Sequence, residues 1–296
     1  MVNYSFSIEN ASQQYIQIKA TFEVSKETTI VRLPSWRPGR YELGNFAKNV
    51  KGFKVYNDEN KRIDAVKVSK DAWEIPTATT KTIRVEYAYY AFDLNAGSTY
   101  LSKEQLYVNP VNCCVFTDET AQEETQVELH IPASWNVAGS MKNENNVLSA
   151  ANFDELADSP FICSANLQHD SYQAGETTFH LWFNGQVKPD WDRLKKDFKA
   201  FSEKQIEKFV EFPVEEYHFL FQILPTKAYH GVEHCKSTVI CLGPTYDLFG
   251  PIYKELLGVS SHELYHTWNV KAIRPIEMFP YDFTKENYSR LGYICE

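Results

Sequence analysis

Nowhere do the 296 residues hold the ~18 consecutive apolar positions that a helix needs to cross a bilayer. Basic patches are missing too, as are runs of one charge sign. A net charge of −9 and a pI near 5.5 argue against nucleic acid or an anionic membrane surface as partner. The six cysteines are Cys113, Cys114, Cys163, Cys235, Cys241 and Cys295, and none forms a C-x-x-C pair. The adjacent Cys113 and Cys114 make a poor disulfide framework, so buried free thiols in a reducing compartment are expected. The start, Met1-Val2-Asn3-Tyr4, has neither the basic nor the apolar region of a secretory leader, and a cytoplasmic location is expected. No internal repeat or low-complexity segment is visible.

What is present is a well-packed globular composition, 43% hydrophobic and 15% aromatic, with length enough for about two domains. The first half reads as strand after strand. Residues 15–20, 83–87 and 127–131 alternate apolar and polar, with turn clusters at 57–60 and 143–146 between such segments. No amphipathic helix longer than two turns stands out, and an antiparallel β-sandwich is predicted over residues 1–170. Within it, Leu33-Pro34-Ser35-Trp36-Arg37-Pro38-Gly39-Arg40-Tyr41 reads as a rigid connection between strands rather than a substrate contact. Character changes near residue 170, where Asp170 to Gly175 looks like a linker. After it come a strand at Thr177–Phe183, a helix within 189–210 and strands at Glu216–Leu224 and Ser237–Leu242. The second domain is placed at 171–296.

The stretch from Ile252 to Trp268 carries His262-Glu263-Leu264-Tyr265-His266. Histidines four apart on a helix project from one face, one turn above the other. That spacing lets two imidazoles bind one Zn²⁺, with Glu263 between them as a general base toward water. Tyr253, Leu256, Leu257, Leu264 and Trp268 lie mostly away from the histidine stripe and give the helix an apolar side. A catalytic zinc needs three protein ligands, so a third must lie downstream. Glu277, Asp282, Glu286 and Glu296 are the candidates. Glu296 ends the apolar run Leu291–Cys295, where a carboxylate carried inward needs a cation, and this favours it.

In His230-Gly231-Val232-Glu233-His234, a Gly and a Glu two apart on a short strand would bring backbone close to a ligand while the carboxylate faces it. A solvated surface turn fits the same residues. His130, His169, His180 and His218 lie in strand or loop contexts without metal spacing and read as structural.

The fifteen residues from Ser261 to Pro275 resemble the signature of the glycyl-aminopeptidase family of gluzincin metallopeptidases, and Leu33–Tyr41 resembles a motif of that family's N-terminal domain. The resemblance implies an α+β multidomain protein, its β-sandwich followed by the first part of a thermolysin-like α/β catalytic domain. It implies a zinc aminopeptidase acting on peptides with small N-terminal residues, with His262, His266 and Glu296 as zinc ligands and Glu263 as general base. Gly231 and Glu233 would hold the substrate's amino terminus, although His230 stands where the family motif has its first glycine. The family's catalytic domain continues well past the third ligand, so a fragment of weak or absent peptidase activity is expected, a ligand without its supporting shell being a poor one. An endopeptidase on the same scaffold would cleave N-blocked peptides. A non-catalytic peptide-binding module would hold little zinc.

Overall fold

The computed structural model describes residues 1–40 and 42–295. The expectation for Glu296, like the Tyr41 end of the turn segment, lies outside the described residues. The first region is built on an eight-stranded sheet whose centre is β1 (Val2–Asn10), β2 (Tyr15–Glu23), β3 (Thr82–Tyr90) and β4 (Thr125–His130), in the order β4-β1-β2-β3. Strict alternation in β2 and β3 turns Ile16, Ile18, Phe22, Ile83 and Val85 inward. They share one core with Leu106, Val108 and Phe161 of one four-stranded sheet and Val31, Trp73 and Ile75 of another.

The sandwich is not wholly antiparallel. β1 pairs β4 in parallel, Val2 opposite Thr125 and Phe6 opposite Leu129. More than a hundred residues separate the two strands, so no tight hairpin dictates their relative direction.

A second sheet follows, made of β5 (Gln168–Ala174), β6 (Thr177–Asn184), β7 (Glu216–Ile223), β8 (Ala228–Glu233) and β9 (Ser237–Gly243), in the order β5-β6-β7-β9-β8. The segment expected as a linker, Asp170 to Gly175, is instead most of β5 and its turn into β6. Ala174 pairs with Thr177, and Gly175 adopts a φ of +61°. Polar residues there reflect a half-exposed outer strand rather than a free connection.

On one face of this sheet lie α1 (Trp191–Phe209) and α2 (Tyr253–Tyr265). The Asp190 side chain accepts from the Arg193 backbone N–H at 3.2 Å and caps α1. Leu194 and Phe198 from α1 and Leu256, Val259 and Leu264 from α2 close over Phe179, Leu181, Phe219 and Ile240. The reverse face meets the first region, where Ala96, Tyr107, Ala138 and Ile162 pack against Leu220, Val232, Val239 and Cys241. Cover on both sides explains why β9 and nearly all of β7 are buried end to end, with the apolar stretches Phe219–Phe221 and Val239–Leu242 at their centres. Among the described residues no helix is long and apolar enough to cross a membrane.

Candidate functional site

α2 ends at Tyr265, so His262 and Glu263 occupy its last turn and His266 is its C-cap, still right-handed at φ −64° and ψ −15°. The chain then winds through short turns, Trp268 N–H to Tyr265 O at 3.1 Å and Val270 N–H to His266 O at 3.1 Å. Trp268 locks this exit. Its ring stacks on Phe209 at 4.7 Å and its indole N–H donates to Glu211 O at 2.9 Å.

The two imidazoles converge. Nε2 of His262 and Nε2 of His266 are 3.0 Å apart with ring planes at 86°. Two nitrogens bound at ~2.0–2.1 Å to one tetrahedral ion stand about 3.3 Å apart, so the pair is close to the separation a shared zinc requires. His266 Nδ1–H donates to the Asn269 carbonyl at 2.8 Å, which leaves Nε2 of the neutral ring with its lone pair toward His262. The donor chemistry and the convergence both fit a zinc ion.

Glu263 is 5% exposed and sits beneath β8, the edge strand of the sheet. A methyl group on Gly231 would overlap its carboxylate, so glycine is what allows strand and carboxylate to approach. Gly231 and Glu233, two apart, share that face of β8. Glu233 in turn meets the first region. A Cβ on Gly39, where φ is +72°, would come within 2.6 Å of its Oε1.

The Leu33–Arg40 turn, expected only as a rigid connection, is tied down by hydrogen bonds and also walls the site. Trp36 Nε1–H donates to Arg40 O at 2.6 Å, and the backbone N–H groups of Ser35 and Trp36 donate to Phe283 O. Trp36, Pro38, Gly39 and Arg40 line a cavity of ≈ 140 Å³ with Glu233 and His266. Arg37, 6% exposed, is held below the usual arginine range by burial, with Glu233 and Tyr107 opposing that pull.

A buried ionic knot fixes the end of β8. The Asp158 carboxylate accepts from Lys271 Nζ at 2.9 Å, from His234 Nδ1 at 3.0 Å and from Cys235 N–H at 2.8 Å. Burial alone would raise the Asp158 carboxyl, but Lys271 and His234 hold it well below the usual carboxylate range. Burial would lower the Lys271 ammonium, and Asp158 instead carries it well above its ordinary value. Three separate stretches meet here: the end of a short first-region helix, the β8–β9 turn and the exit of α2. Sequence reasoning missed this knot. Its one visible signal is Lys271 set between Val270 and Ala272.

Of the third-ligand candidates, Glu277 accepts from Ser289 Oγ at 2.7 Å, and Asp282 is taken by Thr284 and Lys285. Among the described residues, neither of these nor Glu286 forms a three-ligand group with the two histidines.

The chain matches the Peptidase M61 N-terminal domain over residues 3–165 and the M61 glycyl aminopeptidase domain over residues 255–296. No curated protein matches it. Among solved structures it is similar to an aminopeptidase N family protein from Idiomarina loihiensis, at 26% identity and a TM-score of 0.92, covering 99% of this chain and 52% of that one. It shares its fold with an M1 zinc metallopeptidase from Deinococcus radiodurans, at 13% identity and a TM-score of 0.53, covering 91% of this chain and 63% of that one. The chain thus spans about half the length of the first and under two thirds of the second. With more than half of its residues matched by the N-terminal domain and the His262–His266 helix by the peptidase domain, the chain belongs to the M61 glycyl aminopeptidase family.

Proposed function

We propose that this chain carries the metal-binding and substrate-anchoring part of a zinc-dependent aminopeptidase site of the HExxH, thermolysin-like kind, acting on peptides with a small N-terminal residue. The observation that carries this reading is the 3.0 Å approach of the two Nε2 atoms beside a buried Glu263. His262 and His266 would hold the ion, with Glu296 as the third ligand. When bound, zinc polarises the scissile carbonyl and acidifies the attacking water.

The chain's own residues do the rest. Glu263 takes the water's proton on a carboxylate oxygen and passes it to the leaving amine nitrogen. Glu233 pairs with the α-ammonium of the peptide, and the edge of β8 at Gly231 offers backbone groups to its extended main chain. The close approach of Gly39 and the bulk of Trp36 shorten the space beyond Glu233, which suits a small first residue.

The test has two parts. In a chain extended past Glu296, zinc bound after dialysis should fall by about one equivalent in His262→Ala/His266→Ala, whereas Glu263→Gln should keep its metal and lose hydrolysis of glycyl and alanyl p-nitroanilides. Unchanged metal content in the double variant would overturn the assignment. Cleavage of N-acetylated peptides as fast as free ones would replace the aminopeptidase reading with an endopeptidase.

A further inference from the structure

His169, His180 and His218 share no sequence spacing that marks a metal site, yet strand pairing gathers them. β5 sets His169 opposite Trp182 of β6, and β6 sets His180 opposite His218 of β7. Residues two apart on a strand share a face, so His169, His180, Trp182, Glu216 and His218 all project from one side of the sheet. The intervening Phe179, Leu181 and Phe219 point the other way, toward α1 and α2. On the histidine side, His169 Nε2 lies 3.0 Å from His180 Nδ1. Nε2 of His180 is buried and meets no hydrogen-bond partner among the described residues, an exception that calls for a ligand. The His180 and His218 rings stack at 4.5 Å, and His218 Nε2 is 4.0 Å from Glu216 Oε2. One donor atom each from His180, Glu216 and His218 falls within 4.8 Å of the others, the one such trio among the described residues.

We propose that His180, Glu216 and His218 form a second site for a divalent transition metal, zinc in the first instance, on the face of the sheet turned away from α2.

Two imidazoles and a carboxylate are a donor set suited to zinc. His169 is the outer partner, because His180 Nδ1–H donating to His169 Nε2 leaves His180 Nε2 bare. A tetrahedral ion spaces its donors about 3.3 Å apart, so loading draws the trio together by about an ångström, and the 66% exposed Glu216 side chain has room to move. Trp182 Nε1–H donates to His218 Nδ1 at 3.2 Å, so the metal-free ring carries its own proton on Nε2. Loading shifts that proton to Nδ1 and releases the indole. Trp182 is therefore a built-in reporter.

The test uses the full chain with His262→Ala/His266→Ala, which removes the other candidate site. After dialysis against Zn²⁺, elemental analysis should still find about one equivalent, and adding Glu216→Ala or His180→Ala should abolish it. Titrated Co²⁺ should quench indole emission in the first variant and not in the His180→Ala background. Glu216→Ala alters only an exposed side chain, so circular dichroism matching wild type keeps that arm interpretable. The proposal is overturned if the His262→Ala/His266→Ala chain binds no zinc, or if Glu216→Ala and His180→Ala leave its metal content unchanged. In the first of these cases, one equivalent held by the wild type would leave the aminopeptidase reading standing on its own.

Discussion

Replacing Asp158 with Asn keeps the side chain's shape and removes its charge from a carboxylate that accepts from Lys271, His234 and the Cys235 backbone. The Lys271 side chain is 4% exposed, so the variant strands a buried ammonium. Breaking a buried ion pair by removing one partner costs about 3–5 kcal/mol. The Asp158 side chain keeps 23% of its surface, which moves the expected loss to the lower end, about 3 kcal/mol. Urea denaturation followed by tryptophan emission measures it, and Asp158→Asn/Lys271→Met should recover most of the loss because no charge is left stranded. The pH dependence follows from the two shifts. Asp158 is depressed in the folded chain, so its contribution is complete above the unfolded carboxyl pKa of about 4 and is lost as pH falls through the lower folded value. Lys271 is raised, so its contribution is complete below the unfolded pKa of about 10.4 and is lost as pH rises through the higher folded value. Asp158→Asn should therefore flatten the acid limb of the wild-type stability curve. A loss under ~1 kcal/mol, or a double variant as unstable as the two single losses added together, would refute the argument.

Gly231→Ala should displace the Glu263 carboxylate, costing about 1–3 kcal/mol in thermal or chemical unfolding while zinc at the His262 pair is retained. Phe198→Ala empties a fully buried position between α1 and the sheet and should cost about 3–5 kcal/mol in the same assay. Cys235 is the exposed one of the six cysteines, so a chromogenic disulfide should label one thiol in the native chain and six after unfolding. Two or more fast native thiols would contradict the burial of the other five.

The helix that carries His262 and Glu263 and is capped by His266 was legible because its information is local. Residues four apart on a helix are neighbours in space by geometry alone, so the convergence of the two imidazoles needs no knowledge of the rest of the chain. The strands of the first region were legible for the same reason, each announcing itself by alternation. Contacts between distant segments left no such trace. Asp158 and Lys271 are 113 residues apart, and nothing in either neighbourhood names the other. The Leu33–Arg40 turn could be read as stiff from its prolines, but its place beside Glu233 comes from how the sheet's reverse face docks on the first region.

Strand register explains the remaining difference. His169, His180 and His218 look scattered because pairing across β5, β6 and β7 sets their proximity, and a one-residue slip in either pairing would send a ring to the opposite face. The same reasoning reinterprets Asp170–Gly175. Its polar composition is what an outer strand needs on its exposed face, and a linker would show it equally. A sheet edge and a connection thus share one sequence signature. Only the partner strand distinguishes them, and here that partner is Thr177–Asn184, reached through the positive-φ turn at Gly175.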